Sequence, residues 1–401
     1  MESNQGRNNF IKDRLKFAGT CCGQFVIVFL LAGTLCAQDS KIVVGENVEI
    51  FSKVLNEKRT LQIAKPAGYD NGNTAYPVIL VLDGGMNFRF TADIARYLAA
   101  NGLMPEVIVV GIPNTNRNRD FIPELPAKAT TGSTPEEMRS GKADNFLKFL
   151  HEEAIPYIES SLKVLPYRVI VGHSLAGLFV IHNLLKDSGL FSGYMALSPS
   201  LWWNNWSYFE ATQQFYKSQV SLKKFIFVTL ADESENDPQK YSQLKDAFEK
   251  NAPQDLAVEV KLYPDKNHIT TAVEATLDGL FKMFSPWVLS PEMVMSGDIP
   301  AIKEYYRKLG DKLGFSYSPP ESSINQAGYM KLRANDAEKA IALFMFNTEL
   351  YPGSANAFDS LAEAYMKVGN KQLAIDNYKK AIKLDPRLKN ATDNLKKLGG
   401  N

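Results

Sequence analysis

Six short apolar segments, five to seven residues each, punctuate the first two thirds of the chain: "YPVILVL" (76–82), "EVIVVGI" (106–112), "YRVIVG" (167–172), "GYMAL" (193–197), "KFIFVTL" (224–230) and "VEVKLY" (258–263). Most are rich in β-branched residues and run with few polar interruptions, which predicts strands buried on both faces. Helical stretches fall between them, such as "DNFLKFLHEEAIPYIESSL" (144–162) and "KYSQLKDAFEKN" (240–251). Strand–helix alternation of this kind requires a largely parallel sheet flanked by helices, the α/β class. Upstream, "ENVEIFSKVLNEKRTLQIAKP" (46–66) reads as an antiparallel hairpin leading into that sheet. The connection at 113–143 is long and lacks apolar periodicity, as functional loops in compact domains often do.

A chain of 401 residues exceeds one ordinary domain, and its character changes after Pro286. Residues 290–323 read as a linker containing one helix. Beyond it, Ala340-Ile341 recur as Ala374-Ile375, Leu350 and Pro352 as Leu384 and Pro386, and Asn335 as Gly369, always 34 positions on. That is the tetratricopeptide period. Residues 324–401 are therefore expected to hold two such repeats, closed by a solvating cap helix at 387–398. Two repeats fall short of the usual three, so the unit should dock on the domain at 41–289 for stability.

The first 37 residues have the layout of a secretory signal: Arg7, Lys12, Arg14 and Lys16, then "CCGQFVIVFLLAGTLCA". Cleavage after Ala37 is expected; retention as an N-terminal anchor is the alternative, although the apolar run falls short of the roughly 20 residues a span needs. Cys21, Cys22 and Cys36 all lie in this leader, so the mature chain would have no disulfide, no thiolate zinc site and no cysteine nucleophile. Export without disulfides suits a bacterial periplasm or exterior. The formal net charge of +1, with no basic stripe, argues against nucleic acid as a partner. No metal, nucleotide or flavin signature is present, so no cofactor is expected.

The stretch "RVIVGHSLAGLFVIHNLL" (168–185) places Ser174 between a strand and a helix, with Gly172, Ala176 and Gly177 around it. Gly-X-Ser-X-(Gly/Ala) in that setting is a nucleophile elbow, a turn so tight that its flanks must be small. The Leu175 N–H, at the start of the helix, is then a natural oxyanion donor. A second donor, from Gly85 or Met86, is expected in "DGGMNF" (83–88), after the strand at 76–82. Of the four histidines, His151 and His173 are badly placed to serve Ser174 as base, and His182 suits core packing. His268, in "YPDKNHITT" after the last strand, stands where the order Ser–acid–His puts the base. The acid should lie on "ADESEND" after the strand at 224–230, with Glu233 favoured, Asp232 next and Asp237 behind them. Trp202 and Trp203 are either core packing or a platform for an aromatic or sugar ring. Arg117 and Arg119 are either surface charges of a loop or suited to recognition of a carboxylate or catecholate.

Together, "YPVILVLDG", "VIVVGIPNTNRNRDFIP", "YRVIVGHSLAGLF", "LSPSLWW" and the Asn-His at 267–268 resemble the esterase branch of the α/β hydrolases, over residues 45–290. That branch includes enterochelin-type siderophore esterases and relatives of esterase D, some with a trailing tetratricopeptide pair. The resemblance implies an α/β-hydrolase fold and carboxylic-ester hydrolysis through an acyl-serine on a small-molecule ester. It also implies that the loop with Arg117, Arg119 and Asp120 and the segment from Ser200 to Trp203 border the substrate cleft. A siderophore or feruloyl esterase of narrow specificity is the alternative within this class. An interaction protein, whose repeats recruit a partner while hydrolysis is secondary or lost, is the alternative outside it.

Overall fold

The computed structural model describes residues 42–71, 74–125, 141–186, 189–231 and 238–399. The expected leader, at 1–37, lies outside the described residues. The strands are β1 (Glu46–Ser52), β2 (Glu57–Ala64), β3 (Tyr76–Leu82), β4 (Ile108–Ile112), β5 (Val164–His173), β6 (Gly193–Leu197), β7 (Phe225–Ala231) and β8 (Ala257–Tyr263). They form one sheet in the order β1-β2-β4-β3-β5-β6-β7-β8. β1–β2 and β2–β4 pair antiparallel, and every later pair is parallel. The hairpin and all six segments read from the sequence appear where expected, so the core is α/β-hydrolase-like.

Helices cover both faces: α1 (Gly84–Ala100), α2 (Arg117–Phe121), α3 (Ala143–Phe149), α4 (Ile155–Ser161), α5 (Leu175–Leu185), α6 (Ser207–Lys217), α7 (Pro238–Glu249) and α8 (Thr271–Phe284). The two-residue strand period divides the apolar side chains between these layers. In β3, Val78, Leu80 and Leu82 join Phe146, Phe149 and Phe179 on one face, while Ile79 and Val81 join Phe88, Leu98 and Phe284 of α1 and α8 on the other. Truncating such a residue to alanine costs about 2–5 kcal/mol. The stretch 144–162, expected as one helix, is α3 and α4 joined by a π-turn at Leu150–Ala154. Within the long connection, α2 buries Phe121 completely, and residues 126–140 lie outside the described residues.

The C-terminal region is all-α: α9 (Pro291–Ser296), α10 (Ile299–Leu313), α11 (Glu321–Arg333), α12 (Ala337–Leu350), α13 (Ala355–Lys367), α14 (Lys371–Leu384) and α15 (Lys389–Lys397). Residues 290–323, expected as a linker with one helix, instead carry α9 and α10, which share a core with the helices that follow. Ile302, Tyr306 and Leu309 sit on one stripe of α10 and pack with Ile324, Leu343 and Phe346. Helix starts repeat at 34 residues, Glu321 to Ala355 and Ala337 to Lys371. Asn335 and Gly369, one period apart, both adopt left-handed backbone (φ 59° and 78°) between paired helices, a conformation that asparagine and glycine enter most readily. Trp287 joins this region to the sheet domain, edge-on to Tyr167 at 4.7 Å and to Tyr317 at 4.6 Å.

Candidate active site

β5 ends at His173 and α5 begins at Leu175, so Ser174 alone makes the turn. Its backbone lies at φ 63°, ψ −122°, a region whose occupation by a side-chain-bearing residue costs about 1–3 kcal/mol. Neighbouring segments hold it there. The Ser174 N–H donates to the Leu197 carbonyl at the end of β6 (3.0 Å), and its carbonyl accepts from Leu178 N–H (3.0 Å) and Ser200 N–H (3.1 Å). The flanks have to be small: a Cβ on Gly172 would lie 2.4 Å from the Ala176 carbonyl oxygen, and one on Gly177 would lie 3.0 Å from Pro199. Ala176 itself is fully buried, so its methyl is accommodated and a second glycine is not required. The Ser200 hydroxyl stands 3.4 Å from the Ser174 Oγ.

His268 follows β8 in the turn leading to α8. Asn267 shapes that turn, its side-chain oxygen accepting the N–H groups of Ile269 (3.0 Å) and Thr270 (2.9 Å). The turn brings the His268 ring against His173, with centroids 4.6 Å apart and planes inclined at 41°. His173 Nε2 donates to the His268 carbonyl at 2.7 Å, which places the ring proton on Nε2. Burial, reinforced by charge on His268 and Arg117, holds the His173 ring below the usual histidine range, against that hydrogen bond and the Asp83 carboxylate. The other histidines are elsewhere. His182 is buried between Asp144 (2.6 Å) and the Tyr208 hydroxyl (2.9 Å), and His151 is exposed in the π-turn.

Across from the elbow, Asp83 turns the chain from β3 into α1 with φ 53°. Its carboxylate receives two bonds from Arg117, Nε to Oδ1 and Nη2 to Oδ2, each 2.9 Å, and one from Asn114 Nδ2. Arg117 Nη2 also reaches the His173 carbonyl at 3.3 Å. Gly84 is enclosed, since a Cβ there would meet Ile112 N at 2.7 Å, whereas Gly85 faces open space. The Met86 N–H already donates to the Asp83 carbonyl (2.9 Å). Gly85 lies in the first helical turn, where N–H groups have no intrahelical acceptor. Of the two amides expected as the second oxyanion donor, that of Met86 is thus engaged within the chain.

Arg119 does not stand open either. Its guanidinium holds both Glu57 oxygens (2.9 and 2.7 Å) and Asp120 (2.7 Å), and the bond from Arg119 pulls the Glu57 carboxyl down to about 2. Asp120 is completely buried and pairs at 2.7 Å with an equally buried Arg59. This network pins α2, and with it Arg117, to β2; breaking such a pair strands a buried charge at a cost of about 3–5 kcal/mol. Trp203 is 2% exposed and packs on Tyr208, while Trp202 is 37% exposed. Only Trp202 of that pair offers a surface to a ligand. Asp232, Glu233 and Asp237 lie outside the described residues. β7 ends at Ala231, paired with Tyr263 of β8, the strand that leads to His268.

Three features of the site are absent from the sequence reading: Asp83, Asn114 and the ring of His173. A polar Asp83 directly after a fully apolar strand and before two glycines is a signal that could have found the first.

The family model described as "Putative esterase" matches residues 52–265, more than half of the chain. The chain belongs to this family. Ferri-bacillibactin esterase BesA of Bacillus subtilis is 33% identical over 198 residues, 45% of this chain and 65% of that protein. The siderophore enterobactin esterase of Emericella nidulans is 36% identical over 167 residues, 37% of this chain and 54% of that protein. The chain thus spans between half and two thirds of the length of these curated relatives. The crystal structure of an IroE-like serine hydrolase from Shewanella oneidensis superposes with a TM-score of 0.67 at 28% identity, covering 76% of this chain and 99% of that one. These likenesses place the chain among esterase-type hydrolases, with a domain related to siderophore esterases. No described helix is long and apolar enough to cross a membrane.

Proposed function

We propose that this esterase-family chain is a serine hydrolase that opens ester bonds of siderophore-type substrates through an acyl-serine. The observation that carries the reading is the Ser174 backbone at φ 63°, ψ −122° between a buried strand and a buried helix. A packing turn would relieve that strain with glycine; a nucleophile elbow keeps serine there because the strain aims its Oγ outward. In this mechanism His268 removes the Ser174 proton as Oγ attacks the ester carbonyl, and returns it to the leaving alcohol. The oxyanion is held by the Leu175 and Gly85 amides. Water, activated by His268, then releases the acid. Glu233, or failing it Asp232, orients the imidazole.

The siderophore class is favoured over a general carboxylesterase by two relatives above 30% identity, one described as a ferri-bacillibactin esterase and the other as a siderophore enterobactin esterase. The exposed ring of Trp202 lies two residues from Ser200, whose N–H is bonded to Ser174, and suits a catecholate ring. Residues 324–401 are read as two tetratricopeptide repeats with a cap helix, supported by the 34-residue recurrence and by the full burial of Ala340 and Ala374 one period apart. They could recruit a protein partner. The leader at 1–37 supports export to the periplasm or exterior.

The test is fluorophosphonate labelling, followed by hydrolysis of a ferric catecholate trilactone, a feruloyl ester and 4-nitrophenyl acetate. Label is expected on Ser174, with kcat/KM for the trilactone higher by on the order of tenfold or more. No label at Ser174 sinks the hydrolase; equal rates on all three esters sink the siderophore assignment.

A further inference from the structure

His173 adjoins the nucleophile yet has no part in the reaction as described. Its environment is unusually specific for such a residue. Its ring donates from Nε2 to the backbone carbonyl of His268, 95 positions away, at 2.7 Å, and leans against the His268 imidazole. Its own carbonyl accepts from Arg117 Nη2 at 3.3 Å. The same guanidinium is clamped by both oxygens of Asp83, the residue that starts the turn carrying Gly84 and Gly85. One residue therefore touches three separate pieces of the site: the elbow by its backbone, the base loop by its ring, and the oxyanion loop through Arg117 and Asp83.

We infer that His173 is a positioning residue that latches the His268 loop to the nucleophile elbow, with Arg117 and Asp83 bracing the oxyanion loop to the same point. This deepens the esterase reading and rests on it. The physical need is plain. A base in a turn between β8 and α8 sits on an element that shares no strand pairing with β5, since β6 and β7 lie between them. Sheet registry alone would leave it free to shift by an ångström, and a misplacement of that size costs about 10²-fold in rate. A short hydrogen bond from the elbow to the base's own backbone removes that freedom. A hydrogen-bonded carbonyl needs a donor in every protonation state, and the imidazole Nε2–H supplies one whether the ring is neutral or charged. The charged and titratable groups facing the ring are His268, Arg117 and Asp83, and burial, with the first two, lowers its affinity for a second proton against the bond to the His268 carbonyl and the Asp83 carboxylate. The neutral form keeps a second positive charge away from His268 when that ring takes the serine proton.

Arg117 is accordingly assigned to bracing and not to binding substrate. Its partners are this chain's own Asp83 and His173, and a substrate carboxylate would have to displace Asp83 from a two-point contact.

The experiment uses the full chain with 4-nitrophenyl acetate, a small neutral ester that makes few remote contacts. His173→Phe keeps ring packing and loses the donor; His173→Gln restores an N–H at similar reach. We expect H173F to lower kcat by about 10- to 100-fold with KM within about twofold, and H173Q to recover most of that loss. The acid limb of the pH profile of kcat/KM should keep its midpoint in H173Q, because it reports His268. Arg117→Lys should lower kcat on this neutral ester as well, which a substrate-binding arginine would not do. An active wild type with unaltered H173F kcat overturns the proposal alone. A midpoint that moves by more than about half a unit in H173Q also overturns it, by making His173 a titrating base. So does a Gln variant as impaired as Phe. A wild type that neither turns over nor labels at Ser174 overturns the esterase reading and this proposal with it.

Discussion

The two ends of the central sheet are built to different standards. At the carboxyl ends of β3 and β5 and beyond β8, Asp83, His173 and His268 are linked by hydrogen bonds that run through Arg117 and the His173 ring, Asp83 and Ser174 have left-handed φ, and Gly84 and Gly172 are hemmed in by backbone. At the amino ends a cleft of about 1230 Å³ opens between the sheet and the C-terminal helices, lined by Tyr76, Glu106, Lys163, Tyr317, Glu321 and Tyr351 among others. There the partners meet through aromatic faces around Trp287. This cleft therefore lies apart from the residues proposed to carry the chemistry. Chemistry needs atoms held to within fractions of an ångström, which polar contacts and strained turns provide. Docking a second region needs buried area, which tolerates a loose fit.

Substitutions at the two ends should separate accordingly. Ser174→Ala should cost about 10⁶ in kcat with the melting temperature nearly unchanged, because nucleophile and base act as a unit. Turnover within tenfold of wild type would remove Ser174 from the mechanism. His268→Ala should be almost as severe, and the double variant no worse than either single. Glu233→Gln is expected to lower kcat by roughly 10²–10⁴, and Asp232→Asn by far less; the reverse ranking transfers the acid's role to Asp232, and two silent variants leave a serine–histidine dyad.

At the other end, Trp287→Ala should lower unfolding free energy by about 3–5 kcal/mol while kcat on a small ester, measured where the variant is still folded, stays within about twofold of wild type. A variant of normal stability but no activity would abolish the division between the two ends. The smallest effect expected is at Glu106. Burial, and then the charge of Glu321, raise its carboxyl to about 7. A raised carboxylate binds more protons folded than unfolded, so its contribution is complete below the unfolded value near 4.5 and is lost as pH rises through about 7. Glu106→Gln should therefore raise the melting temperature at pH 8 and not at pH 4. The side chain is open to the cleft, so water screens the gain and keeps it small. A gain of equal size at both pH values would show that ionisation is not its cause.

Much of this was legible because it is encoded in neighbouring residues. The continuous apolar runs specify buried strands, the small residues around Ser174 specify a turn that no larger side chain could enter, and the recurrence from Asn335 to Gly369 specifies a turn with positive φ every 34 residues. Each is a local pattern read over a few turns or strand repeats. The contacts that complete the site are of another kind. Arg59 and Asp120 are 61 positions apart, Arg117 and Asp83 34, and His173 and His268 95. Nothing in the local pattern around any of these residues names its partner. They meet because β4 is inserted between β2 and β3 and because β8 reaches the sheet's edge in parallel register. By itself the sequence determined the strands, the elbow and the repeat, since backbone sterics and hydrophobic periodicity act between residues close in the chain. Only the tertiary structure decided that His173, beside the proposed nucleophile, should meet the backbone of the proposed base His268, because a hydrogen bond at 2.7 Å depends on where two distant loops come to rest.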